Sequence, residues 1–173
     1  MKGGKRAFKA FSFHSSQLEG LAMAHTPVDH SVVSARTEDL SRIESLLRAA
    51  GLPTEGVAPL IDDFLVIRGD DGQVVAAAVI EWHAESATES NGLLRSVVVD
   101  PFCRGEGLGT RIVRAILGST DRNLYLLTES ATEFFRGLGF ESIDRSLSPL
   151  ALRRSEEFRC ICGESAAFMR RWE

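Results

Sequence analysis

"DPFCRGEGLGTRIVRAILG", residues 100–118, sets Gly105, Gly107 and Gly109 at every second position and then turns helical. Glycine inside a helix costs about 0.8–1 kcal/mol relative to alanine. A run of it where a helix starts implies a demand for bare backbone. A helix N-terminus leaves N–H groups without partners and carries about half a positive charge. Glycines let an anion come close to those groups, and Arg104 adds a side-chain cation. The stretch therefore reads as a phosphate-binding loop that opens a helix from about Gly105 to Leu117. Leu108, Ile112, Ala115 and Ile116 form the apolar stripe of that helix, which is the pattern of one buried face.

Two familiar phosphate loops do not fit. The Walker pattern requires Gly-Lys-Ser/Thr after four residues, and no such lysine is present. The dinucleotide fingerprint is Gly-x-Gly-x-x-Gly on the first strand of a βαβ unit. Here the spacing is Gly-x-Gly-x-Gly, and a meander of three strands precedes it.

Working outward, "SVVSARTEDL" ends a strand and begins a helix, with Thr37 as N-cap and Glu38 and Asp39 in the first turn. Gly51 and Pro53 stop that helix. "DFLVIRGDDGQVVAAAVIEW" (63–82) reads as two strands joined by a Gly-Asp-Asp-Gly turn, and "GLLRSVVV" (92–99) as the third. Beyond the glycine loop come an apolar strand, "NLYLLT", and a short helix with Ser130 as N-cap and Glu133 completing a capping box. "FESID" is a strand, "SPLALRRSEEF" carries a short helix or two, and "AAFMRRW" is the last strand. The order predicts a mixed α/β (α+β) domain around a central sheet.

Arg104-x-x-Gly107-x-Gly109 after an apolar strand, in "VVVDPFCRGEGLGTRIV", resembles the acetyl-CoA loop of the GNAT superfamily of N-acetyltransferases. "FFRGLGF" (134–140) resembles that superfamily's second signature, an aromatic-rich helix ending in Leu-Gly-Phe. The resemblance spans about 31 to 171. With "LLRSVVV", "LYLLT" and "EFRCICGESAAFM", the chain looks most like the arsenic-resistance and amino-acid N-acetyltransferase subgroup. The resemblance implies a mostly antiparallel sheet of six to seven strands, splayed between its central strands and flanked by helices.

It also implies a site. Acetyl-CoA would be held by Arg104, Gly105, Glu106, Gly107, Leu108, Gly109 and Thr110 at its pyrophosphate. Val97, Val98 and Val99 would pair their backbone with its pantetheine arm, and an N–H near Val98 would face the thioester oxygen. The acceptor implied is a primary amine of a small molecule, an amino acid or similar compound. Two strand-end acids, Glu81 and Glu129, are the candidate general bases. Arg95 interrupts an apolar strand, on the same face as Leu93, Val97 and Val99 by simple alternation. A buried arginine needs a carboxylate partner, which is either the substrate or an internal acid such as Glu81 or Glu129. Many family members place a tyrosine in the second helix as the acid for the leaving thiolate. Phe135 stands there in this chain and has no proton to give; Tyr125, the only tyrosine, reads as core. A CoA-binding regulatory module with decayed catalysis and a peptide or protein N-terminal acetyltransferase are the competing readings.

The bulk numbers bound these expectations. A chain of 173 residues with 44% apolar and 25% charged residues is long enough for one substantial core. A net charge of −4 argues against a nucleic-acid module, which usually shows a basic face. No stretch approaches the roughly 20 apolar residues of a membrane span. Cys103, Cys160 and Cys162 cannot all pair within one chain, which points to reduced thiols and a cytoplasmic protein. Cys-Ile-Cys lacks further ligands at metal-site spacing, so no metal is expected. Residues 1–30 are basic and polar and read as a disordered leader, leaving 31–173 as a single acetyltransferase domain. A homodimer is the oligomer considered.

Overall fold

The computed structural model describes residues 30–155, 158 and 165–172. The expectations for residues 1–29 and for Cys160 and Cys162 lie outside that set. Seven strands form one sheet: β1 (Val32–Ser34), β2 (Leu65–Arg68), β3 (Val74–Ala84), β4 (Ser90–Val99), β5 (Leu124–Thr128), β6 (Glu141–Ser142) and β7 (Ala167–Arg171). Their spatial order is β1-β2-β3-β4-β5-β7-β6. Every neighbouring pair is antiparallel except β4–β5, which is parallel. A parallel pair needs a crossover, and helix α2 (Leu108–Leu117) supplies it.

Helices cover both faces. On one, α2 buries Leu108, Ile112, Val113 and Ile116 against Ile67, Ala76, Ala78 and Leu94. Each such side chain contributes about 1.5–3 kcal/mol when fully buried. On the other, α1 (Leu40–Ala49) packs Ile43, Leu46 and Leu47 on Val66, Ala77, Val79 and Val98. A third cluster, Leu93, Tyr125, Leu152 and Phe168, closes the sheet beneath the short helix α4 (Leu150–Arg153). Tyr125 is buried there and stacks on Phe168 with ring centroids 5.5 Å apart. Among the described residues no helix is long and apolar enough to cross a membrane.

Three local expectations change. Thr37 is not the N-cap of α1; a 3-10 turn, Thr37–Asp39, precedes that helix. The cause is Asp39, whose carboxylate accepts the Arg36 N–H at 2.7 Å and pairs with Arg68 of β2 at 2.8 Å. Ser130 caps nothing either. The helix α3 runs Thr132–Arg136 with Ala131 at its N-cap. The Ala131 N–H is taken by Thr128 Oγ1 at 3.0 Å, and Glu133 pairs with Arg136 instead of reaching back.

The third change concerns β4. Its pairing with β3 slips between Ala77 and Val79, so that Val98 faces Ala77 but Arg95 already faces Val79. The extra residue makes a bulge at Ser96, whose φ of +55° is the only left-handed non-glycine conformation among the described residues. A one-residue slip reverses which face every later side chain meets. Leu93 and Arg95 therefore stay on one face, while Val97 and Val99 turn to the α2 face. The alternation that put all four together fails at this bulge.

Candidate functional site

The β4–β5 pair is short. Only Gly92–Leu124 and Leu93–Tyr125 are in register, and beyond them the strands part. A cleft of 610 Å³ opens between them. One wall is the bulged segment Leu94–Val98; the other is the end of β5 with Glu129, Ser130 and Ala131. Phe134 and Phe135 of α3 and the Ala50–Pro53 turn after α1 complete it, and Arg104 stands at its loop end. The splay leaves β4 backbone groups past Leu93 without β5 partners. Such an exposed strand edge can accept an extended ligand carrying its own amides.

The glycine loop lies at the start of α2. Gly105 and Gly107 adopt φ of +88° and +78°, which only glycine takes at low cost. A Cβ built on either would meet nothing within 4 Å, so both sit beside open space. Gly107 is the N-cap, one turn later than the helix start read from the sequence, and the first turn-closing bond runs from the Arg111 N–H to the Gly107 carbonyl at 2.9 Å. The N–H groups of Leu108, Gly109 and Thr110 thus have no acceptor within the helix. Gly109 differs from its two neighbours: it is helical, and a Cβ there would touch Phe134 and Val99 at 3.4 and 3.5 Å. Its role is close packing between α2, β4 and α3. Glu106 is exposed on the loop, with His30 Nε2 4.0 Å from its carboxylate.

What aims the loop was not visible in the sequence. Asp100 ends β4, and its carboxylate accepts the Phe102 N–H at 3.0 Å to form a 3-10 turn. The same carboxylate pairs with Arg42 of α1, which also donates from Nε to the Val74 carbonyl at 3.0 Å. Arg42 read only as part of the polar face of a helix; its partner lies 58 positions away.

The candidate acids separate. Glu129 is exposed at the end of β5 and lines the cleft; among the described residues its carboxylate has no ion pair or side-chain hydrogen bond. Glu81 does not line the cleft. It lies on β3 between two basic groups: His83 Nε2 is 3.2 Å from Oε1 and Arg95 Nη1 donates to Oε2 at 2.6 Å. The imidazole and the guanidinium together hold its carboxyl down at about 2, against the partial burial that would raise it. A carboxyl held that low stays ionised at neutral pH and is a weak base. Arg95 is 3% exposed at its side chain and also donates from Nη2 to the Glu55 carbonyl at 2.9 Å. The internal partner considered for it is therefore present.

Phe135 is buried in the α2-side core, edge-on to Phe140, while its neighbour Phe134 is the more exposed ring at the cleft. Among the sequence candidates, the fold brings Arg95, Val97, Val98, Arg104 and Glu129 to one cleft; Glu81, Val99 and Gly105–Thr110 do not line it.

A family profile described as an acetyltransferase (GNAT) domain matches residues 61–142. A mycothiol acetyltransferase of Corynebacterium diphtheriae is 30% identical over 102 residues, 57% of this chain. The match spans only 33% of that relative's length. A Mycobacterium tuberculosis protein solved in complex with CoA superposes with a TM-score of 0.65 at 24% identity, over 83% of this chain and 99% of the other. N-acetylglutamate synthase of Neisseria gonorrhoeae, complexed with coenzyme A and N-acetyl-glutamate, gives 0.66 at 20% identity over 82% of this chain and 34% of its own. The two structural likenesses concern the fold.

Proposed function

The chain belongs to the GNAT superfamily, and on that premise we propose that it moves the acetyl group of acetyl-CoA to a primary amine of a small molecule. The observation that carries this is the coincidence of two features. The splay of β4 from β5 frees a strand edge, and the same strand leads through one 3-10 turn into the glycine loop whose amides lack helical partners.

The residues fit the coenzyme. The open space over Gly105 and Gly107 is a cradle that side chains would fill. Arg104 and the amides of Gly105 to Thr110, Glu106 included, would hold the pyrophosphate. The backbone of Val97, Val98 and Val99 would hold the pantetheine arm. Bound there, acetyl-CoA supplies the activated acyl group. The chain's own tasks are then to orient it, to offer a backbone N–H near Val98 to the developing negative oxygen, and to take the amine's proton. Removing one such donor typically costs about 2.7–4 kcal/mol of transition-state stabilisation.

Glu129 is the better placed of the two candidate bases, because it faces the cleft and is unencumbered. Glu81 contributes by holding Arg95. The acceptors to try first are amino acids and amino-acid-like compounds, as the sequence resemblance implies.

One observation favours a second reading, a CoA-binding module with weak catalysis: the buried Phe135 offers no proton to a departing thiolate. One experiment separates the two. Acetyl-CoA at a hundred times its Kd should add about 2.7 kcal/mol of stability, and thiol release is then followed with pools of amino acids, other small amines and peptides. Binding with release on a small-amine pool supports the acetyltransferase. Binding with no release on any pool supports the module, and release with peptides alone defeats the small-molecule acceptor.

A further inference from the structure

Arg95 has a second bond whose consequence reaches the cleft. The chain between α1 and the 3-10 turn Ala58–Asp63 leaves the helix at Gly51 (φ +68°) and rejoins the core at Gly56 (φ +71°) and Val57. At its start the Leu52 N–H is held by the Leu47 carbonyl at 2.8 Å. At its end Val57 is fully buried, and its N–H reaches the Thr54 carbonyl at 3.3 Å. Ala50, Gly51, Leu52 and Pro53 form cleft wall. Between the two ends, the bond from Arg95 Nη2 to the Glu55 carbonyl ties this loop to β4. The other arm of the same guanidinium is fixed by Glu81 on β3.

The planar guanidinium suits this task. Its donors lie in a rigid fork, so one end can be fixed while the other reaches a second acceptor. Arg95 also immediately precedes the bulged Ser96, where the pairing of β4 with β3 is interrupted. One buried side chain thus joins β3, the bulged cleft wall and the loop wall.

We propose that Arg95 is a positioning residue: through Glu81 and the Glu55 carbonyl it sets the distance between the 50–57 loop and β4, and so the width of the acceptor end of the cleft. In this role it touches no substrate. The kinetic part of the proposal rests on the acetyltransferase reading; the structural part does not.

The test uses the full chain and two variants, Arg95→Met and Arg95→Lys. A lysine keeps the charge opposite Glu81 but cannot span both partners, so Arg95→Lys folds even where Arg95→Met fails to. Hydrogen exchange is read at the Val57 amide and, as reference, at amides of β3. In Arg95→Lys the Val57 amide exchanges about ten-fold faster while the reference amides keep their rates, which is local opening rather than global loss of stability. In steady-state kinetics KM rises for acceptors with and without a carboxylate, and KM for acetyl-CoA is unchanged.

Unchanged exchange at Val57 overturns the proposal. So does a KM increase confined to carboxylate-bearing acceptors, which would make Arg95 a direct substrate ligand. A wild-type protein that acetylates no acceptor defeats the proposed activity, and the exchange measurement still decides the role of Arg95.

Discussion

Gly92 faces Leu124 across the parallel β4–β5 junction so closely that a Cβ at position 92 would lie 2.5 Å from Leu124 Cδ2. The same atom would lie 2.8 Å from Ile80 Cγ2. The Gly92 N–H also donates to the Asn123 carbonyl at 3.1 Å. The two strands touch at this point and separate above it, so the closeness of Gly92 and Leu124 is the base of the cleft.

Gly92→Val should therefore be costly. Overpacking of this kind costs about 1–3 kcal/mol, which for a domain of this size lowers Tm by roughly 2–4 °C per kcal/mol. Thermal unfolding checks it. A Gly92→Val protein with wild-type Tm would mean that the strands tolerate separation at the base of the cleft.

Gly107→Ala and Gly107→Glu separate backbone strain from ligand binding. Both force a side chain into a left-handed conformation that costs about 1–2 kcal/mol, so both should melt earlier than wild type. The alanine has open space around it and should keep much of the stabilisation that CoA gives. The glutamate brings an anion to the pyrophosphate cradle and should lose it. Equal CoA-induced shifts in Gly107→Glu and wild type would remove the loop from the coenzyme site.

Glu129→Gln tests the proton acceptor. A positioned general base contributes typically 10²–10⁴-fold. The amide should lower kcat by about that factor with little effect on Tm, because the carboxylate is exposed and makes no bond among the described residues. Unaltered turnover would exclude Glu129 from proton transfer.

Glu81 predicts a pH dependence of stability. Its folded-state value, about 2, lies below the ordinary 4.5. A group depressed on folding contributes stability that is present above its unfolded value and is lost as pH falls through the folded one. The contribution should be whole above about pH 4.5 and vanish by about pH 2. Glu81→Gln should flatten the fall of Tm in that window and lower Tm at neutral pH, because Arg95 then loses the Glu81 carboxylate in a nearly buried position. Parallel acid-melting curves for the two proteins would show that Glu81 is not held as described.

Sequence alone determined the order of elements and the chemistry of one loop. Periodicity marks α1 and α2 because their buried residues recur every three or four positions, and the hairpin at Gly69–Gly72 announces itself by local turn residues. The glycines before Leu108 are legible for the same reason, since backbone conformation and the free amides of a helix start are local properties.

The tertiary structure decided the rest. Whether Glu81 or Glu129 faces the cleft depends on how far β4 and β5 separate, and what Arg95 holds depends on Glu55, 40 positions away. Simple alternation failed at Ser96 because a bulge shifts side-chain parity without a local sequence marker. Ser130 failed as a cap because the helix begins one residue later, with Ala131 at its N-cap, and Glu133 pairs with Arg136 instead of reaching back. A residue's helical or strand preference is carried by its immediate neighbours. Its partner is chosen by contacts that exist only once distant segments have been brought side by side.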